Sequence, residues 1–248
     1  MAESLGIDIG GSGIKAAVVD CTTGELCSER LRVATPRPAT PESVAGAVNE
    51  LVSMFDYSGP VGCCFPTIVV GGRAKSASNM GHEWIDVAID QAFSAVTGLP
   101  FTVINDADAA GMAEMKLGAG VGLQGTVVTL TIGTGIGSAL FYDGQLIPNL
   151  ELGHMAGKDG EPFEKWASDR ARKTDELSWE AWGARFDGFL KRAARVCTPD
   201  HVILGGGASK KFDRFSGSIT VPTPIHIARF LNNAGIVGAA MVTPGRTE

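Results

Sequence analysis

The stretch Leu5-Gly6-Ile7-Asp8-Ile9-Gly10-Gly11-Ser12-Gly13-Ile14-Lys15-Ala16-Ala17-Val18-Val19-Asp20 places two apolar runs with strand character on either side of a glycine turn. Gly10, Gly11 and Gly13 admit positive φ, so main-chain N–H groups around Ser12 can converge on an anion, as in the backbone nests that hold phosphate. Asp8, at the end of the first run, is a hard oxygen ligand suited to a hydrated magnesium ion facing that anion. Lys15 either adds a point charge to the same anion or lies solvated on the second strand. Taken alone, the stretch also fits an ordinary glycine hairpin, and its spacing is not that of a Walker loop.

The device recurs. Val127-Val128-Thr129-Leu130-Thr131-Ile132-Gly133-Thr134-Gly135-Ile136-Gly137-Ser138-Ala139-Leu140-Phe141 is again strand, glycine turn and strand, and Gly133, Gly135 and Gly137 do not follow the dinucleotide-binding spacing. Thr134 can donate its hydroxyl beside the backbone. A third cluster, Gly205-Gly206-Gly207 followed by Lys210 and Lys211, ends the apolar run Val202-Ile203-Leu204.

Two further groups carry chemistry. Asn105-Asp106 closes the apolar strand Phe101–Ile104 and opens a helix, where a carboxylate can accept the proton of an attacking hydroxyl. Helix capping is the competing role for that pair, and Asp108 is the rival base. Glu151 and His154, at i and i+3, offer an acceptor and a donor on one face of a turn. No second histidine follows at i+4, so the zinc-peptidase pattern is not met.

Composition narrows the function classes. The chain of 248 residues is 44% hydrophobic, enough for a sizeable core, and its net charge of −6 argues against nonspecific nucleic-acid binding. No run reaches the length of a membrane span and no signal-peptide pattern precedes the first strand, so a cytoplasmic protein without membrane partners is expected. The five cysteines, at 21, 27, 63, 64 and 197, are odd in number and lack C-x-x-C spacing, which disfavours a disulfide framework or structural zinc. Cys63 and Cys64 lie in an apolar run and read as core residues.

The coarse reading is α/β. Strands are expected over 5–20 and 28–34 as a meander, then at 61–66, 101–104, 126–132, 137–142 and 201–204, with a turn at Asp143-Gly144. Helices are expected over 41–55, opened by Thr40 and Pro41, and over 85–97, stopped by Gly98 and Pro100. Others are expected over 106–117, 166–173, 179–197 and 234–241.

Together these motifs resemble the two phosphate loops and the nucleotide-side glycine motif of the sugar kinase, actin and Hsp70 superfamily. Asn105-Asp106-Ala107-Asp108-Ala109-Ala110-Gly111, followed by Glu151-Leu152-Gly153-His154, resembles the ROK sugar kinases, and within them the branch that uses inorganic polyphosphate, from Leu5 to about Val242. The resemblance implies two ribonuclease H-like (actin-like ATPase) lobes around a central cleft. Residues 1–104 would form a small lobe completed by a returning helix at 234–248, and 105–233 a larger one. It implies a homodimeric, magnesium-dependent kinase of glucose with polyphosphate or ATP as donor.

Residue by residue, the resemblance makes Asp106 the base, because it directly follows the asparagine. It gives sugar contacts to Asn79, Asn105, Asp106, Glu151 and His154. For Asn79 a role as a loop turn former weighs equally. A second sugar glutamate would be Glu161 or Glu164. The donor falls to Gly10, Gly11, Ser12, Gly13, Lys15, Thr134, Gly135, Gly137, Gly206 and Gly207, and the metal to Asp8. Many ROK kinases carry a cysteine-rich zinc motif after Glu-x-x-His. Here that region, Met155 to Glu161, has no cysteine, as in the polyphosphate branch, so no zinc is expected.

A polyphosphate chain would gain from a basic track, for which Lys210, Lys211, Arg170, Arg172, Lys173, Arg73 and Lys75 are the candidates. Two other classes remain to be weighed. A sugar-responsive regulator would need a DNA-binding module, for which the first strand, beginning within ten residues of the start, leaves no room. A chaperone-like ATPase would not need the Glu-x-x-His element.

Overall fold

The computed structural model describes residues 3–77, 80–157 and 160–243. The chain divides into two units, Met1–Ala113 with Asn233–Glu248, and Glu114–Asn232. The first holds β1 (Glu3–Gly10), β2 (Gly13–Asp20), β3 (Leu31–Val33), α1 (Pro41–Ser53), β4 (Val61–Phe65), the two-residue strands β5 (Val69–Val70) and β6 (Arg73–Ala74), α2 (Ile89–Thr97), β7 (Phe101–Asn105) and the first turns of α3 (Asp106–Leu117). The second holds β8 (Thr126–Ile132), β9 (Ile136–Tyr142), β10 (Gln145–Ile147), α4 (Glu164–Ala167), α5 (Asp169–Thr174), α6 (Trp179–Cys197), β11 (His201–Gly205), α7 (Gly206–Ser209) and β12 (Ile225–Ile227). The last helix, α8 (Ala234–Ala240), belongs to the first unit.

One sheet plan is used twice. The first sheet runs β3-β2-β1-β4-β7 and the second β10-β9-β8-β11-β12. In each, three strands form an antiparallel meander and two more add in parallel to its first strand. The inner parallel strands β4 and β11 are buried on both faces and read as near-continuous apolar runs, while the outermost ones, β7 and β12, are only partly buried. All five residues of β4 are buried, as are Leu5, Ile7 and Ile9 of β1.

Each unit has its own aromatic centre. In the first, Trp84 packs on Phe65 at 4.6 Å and on Phe93 at 6.5 Å. In the second, the face of α6 that repeats at helical spacing buries Trp182, Phe186 and Phe189 against Phe215. Among the described residues no helix is long and apolar enough to cross a membrane.

Local differences from expectation have local causes. Thr40 caps α1 as its sequence predicts, accepting from the Ser43 amide at 3.2 Å. The helix expected from Ile85 starts instead at Ile89, because residues 86–88 run beside β6: the Ala74 amide donates to Val87 and the Asp86 amide to Ala74. The helix expected over 166–173 is two helices, broken where Ser168 turns extended (ψ 164°) to cap α5. The expected reason for the turn glycines also changes. Gly10, Gly11, Gly13, Gly133 and Gly135 all keep negative or extended φ, whereas Gly206 takes φ +78°.

Glu114 is a buried carboxylate of the second unit, 3% exposed. Its Oε2 accepts from the amides of Ala119 at 3.0 Å and Arg229 at 2.9 Å, and its Oε1 from that of Phe230 at 2.7 Å. Each buried amide left without an acceptor costs about 1–3 kcal/mol. Glu114→Ala is therefore expected to destabilise by about 3 kcal/mol or more, read as a lower urea midpoint at unchanged slope.

Candidate active site

In the first unit, the parallel register sets two carboxylates at one sheet edge. Asp8 pairs across to Cys64, Cys64 to Ile104, and Phe65 to Asn105, so the C-terminal ends of β1, β4 and β7 lie level. Asp8 and Asp106 thus emerge about two strand spacings apart, roughly 10 Å. The Cys64 thiol between them donates to Asp8 Oδ1 at 3.5 Å. Burial, with added repulsion from Asp8, Cys63 and Asp106, pushes that thiol well above the ordinary range, so it stays a neutral donor.

The first turn is braced from behind. Arg32 on β3 donates to the Ser12 carbonyl, and Thr35 donates to the Gly10 carbonyl. Since C=O and N–H of one planar peptide point opposite ways, holding the Gly10 carbonyl turns the Gly11 N–H away from Thr35. Lys15, left open between two roles, sits opposite Asp8 on β2 with Nζ 3.0 Å from Asp8 Oδ2. Asp8 offers carboxylate oxygen, the donor type magnesium prefers, and magnesium takes most of its remaining ligands from water and phosphate. The residues therefore fit the ion, with Lys15 as a charge partner already in place.

Asn105 and Asp106 divide the labour that the sequence left undecided. Asn105 is the cap: its Oδ1 accepts from the amides of Ala107 at 2.8 Å and Asp108 at 3.0 Å, while its Nδ2 donates to the Thr67 carbonyl at 3.0 Å. Asp106 Oδ1 also accepts from Ala107, at 2.8 Å, and the residue is partly exposed. Asp108 is fully buried, which removes it as a group that meets substrate. Asn79 lies outside the described residues.

In the second unit, Glu151, His154 and Glu164 meet. His154 Nδ1 lies 3.8 Å from Glu151 Oε2, and His154 Nε2 lies 3.8 Å from Glu164 Oε1. A 3₁₀ turn over Leu152–His154 presents the pair, anchored where Ser138 Oγ donates to Leu150 and accepts from the Leu152 amide. Glu161 does not join them; it is an exposed partner of Lys165. Glu164 does more than the sequence suggested, because its Oε2 accepts from the Ile136 amide at 2.9 Å and so braces the second glycine turn. Nothing in the spacing signals this bond.

That second turn is Gly133-Thr134-Gly135, closed by the Gly133 amide on the Gly135 carbonyl at 3.0 Å. Thr134 is exposed. Gly137 lies beyond it, within β9 and paired to Thr131, and is part of the ladder rather than of the turn. Gly206 bridges to Ile132, and a Cβ there would come within 2.5 Å of the Ile132 backbone, so only glycine allows the approach. Gly207 follows it, exposed.

Glu151 titrates unusually. Burial raises its pKa, the neighbouring His154 lowers it and Glu164 raises it again, for a net upward shift. A carboxylate held above its unfolded value of 4.5 costs stability in its charged form: the penalty grows as pH rises from the unfolded pKa through the native one. Glu151→Gln removes the penalty. The variant is expected to melt higher than wild type at pH 7, with the difference closing below about pH 4, which melts at the two pH values check.

A sheet of this order occurring twice, with glycine hairpins at corresponding ends, is the actin-like ATPase fold found in the sugar kinases. The chain belongs to the ROK family, whose model matches residues 4–163. It is 41% identical over 246 residues to the polyphosphate glucokinase of Mycobacterium tuberculosis (strain CDC 1551 / Oshkosh), covering 99% of this chain and 92% of that one. The structure of the inorganic polyphosphate/ATP-glucomannokinase from Arthrobacter sp. strain KM superposes with a TM-score of 0.92 at 46% identity, covering 97% of this chain and 98% of that one. A ROK family glucokinase from Streptomyces griseus, solved with glucose and AMPPNP, gives 0.82 at 25% identity, covering 97% and 99%.

Proposed function

We propose that this chain is a kinase that phosphorylates the 6-hydroxyl of glucose with inorganic polyphosphate or ATP as donor. The observation that carries the reading is the match to a polyphosphate glucokinase across 99% of the chain. Asp106 accepts the proton of the 6-hydroxyl as that oxygen attacks the terminal phosphorus and the bond to the bridging oxygen breaks. Asn105 holds the start of α3, and with it Asp106, while its amide edge, Asn79, Glu151 and His154 hold the sugar hydroxyls. Glu164 joins this set, supported by its distance to His154.

The terminal phosphate of the donor is held by the turn Gly10-Gly11-Ser12-Gly13 with Lys15, and by Thr134 and Gly135. The backbone after Gly206 and Gly207 takes the remainder of the donor. Magnesium, held through Asp8, offsets charge on the transferred group when bound. The same reading makes the enzyme a cytoplasmic homodimer. Its test is the initial rate of glucose 6-phosphate formation with magnesium and long-chain polyphosphate, ATP or no donor. Product with at least one donor is expected, and none with either overturns the assignment.

A further inference from the structure

We propose that Arg170, Lys210 and Lys211 form the track that holds a polyphosphate donor beyond its terminal phosphates. The proposal rests on the reading of polyphosphate as a donor. It starts from which cations of the molecule are already neutralised. Arg172 and Lys173 share Asp169, at 2.8 and 2.7 Å, and the Arg172 guanidinium also lies 4.0 Å over the Trp179 ring. Arg185 is paired with Asp175, Lys165 with Glu161, Lys191 with Asp187 and Lys75 with Asp86. A polyanion would have to break these pairs to use them.

Arg170, Lys210 and Lys211 differ on each count. All three are exposed, and none has an ion pair among the described residues. Arg170, and Gly206 at the start of the segment that carries Lys210 and Lys211, are tied to consecutive residues at the second glycine turn. The Arg170 amide donates to the Gly133 carbonyl at 3.1 Å, and Gly206, which opens the segment ending in Lys210 and Lys211, bridges to Ile132. The Lys211 amide closes on Ala208 at 2.9 Å. A run of rings fixes the two segments to each other: Arg172 on Trp179, Trp179 stacked on Phe215 at 5.9 Å, and Phe215 against Phe212 at 5.3 Å.

The local charge opposes the global one. Residues 206–214 carry Lys210, Lys211 and Arg214 against a single carboxylate, Asp213, in a chain whose net charge is −6. Such a concentration of unneutralised cations attracts a polyanion and raises its local concentration. It also separates the two donors. In ATP the charge ends with the triphosphate and a neutral nucleoside follows, whereas polyphosphate presents a further charge at every unit, so cations set beyond the terminal phosphates act on polyphosphate alone.

The test compares wild type with the triple variant Arg170→Ala, Lys210→Ala, Lys211→Ala, using glucose with long-chain polyphosphate, tripolyphosphate or ATP. The expected result is a rise of about tenfold or more in KM for long-chain polyphosphate, with a shallower dependence on salt. kcat/KM for ATP should stay within about twofold of wild type, which also reports that the variant is folded, and the loss should be smaller for tripolyphosphate. Lys173→Ala, whose charge is spent on Asp169, should change neither donor. Unchanged use of long-chain polyphosphate by the triple variant overturns the track and leaves the donor reading standing. Equal losses with polyphosphate and ATP overturn it too, because the residues then serve the donor turn as a whole. A wild-type enzyme active with ATP and silent with polyphosphate overturns the donor reading itself, and the track with it.

Discussion

Asp106→Asn is expected to lower kcat by about 10²–10⁴-fold while leaving glucose affinity within a few-fold of wild type. The geometry allows this separation. Asp106 spends Oδ1 on the Ala107 amide, and an asparagine keeps that acceptor, so the start of α3 is undisturbed. Asn105 independently caps the same turn with two further bonds. What the substitution removes is the capacity to take a proton from the attacking hydroxyl. Titration calorimetry with glucose and initial rates on the same preparation check both halves. Turnover near wild type would sink the assignment of Asp106 as base, since Asp108 is fully buried and no substitute stands beside it on α3.

Gly62→Ala is expected to cost at least about 3 kcal/mol of stability, one of the two closest backbone overlaps a single added methyl would make, with Gly238. A Cβ at Gly62 would fall on the carbonyl oxygen of Ala239, with the carbonyl carbon 2.5 Å away. Both partners are backbone, in β4 and in α8, so no rotamer change relieves the overlap. Relief requires α8 to lift, exposing Ile236, Val237, Ala239 and Ala240, all fully buried. Gly46→Ala is the control: it lies within α1 with nothing inside 4 Å of its added Cβ, and alanine there should stabilise by about 0.5–1 kcal/mol. Chemical denaturation of both variants reads the contrast.

The sequence made the recurring hairpins, the strand ending at Asn105 and the helix opening at Asp106 legible because each carries its signal locally. Apolar runs stop at glycine, and a polar pair stops an apolar run. The Thr40 cap and the amphipathic α6 were readable for the same reason. What stayed hidden depends on register between distant segments. Asn105 could be named but its task could not, because the Thr67 carbonyl that orients it lies 38 residues away. Glu164 could not be preferred to Glu161 until the bond to Ile136 set its direction. Arg32 gave no sign of holding the first turn, since only the pairing of β2 with β3 brings it to Ser12. The turn glycines were read for conformational freedom, and there the physical reason was different. At Gly206 both freedom and close approach are used, while Gly135 makes room for the Glu164 carboxylate.

The placement of α8 has a consequence for how the protein is made. The sheet of the first unit is complete in sequence by Asn105, yet Gly6 and Gly62 wait for the backbone of residues 236–239, and Gly238 rests on the carbonyl of Ala109. A ribosome that has passed Ala113 must add the whole of the second unit before it delivers that helix, on the order of ten seconds of synthesis. During that interval the glycine-lined face of β1 and β4 has no cover, whereas every strand of the second sheet is already in hand when residue 232 emerges. The first unit, though begun earlier in the message, thus depends on a helix that is translated only after the whole of the second.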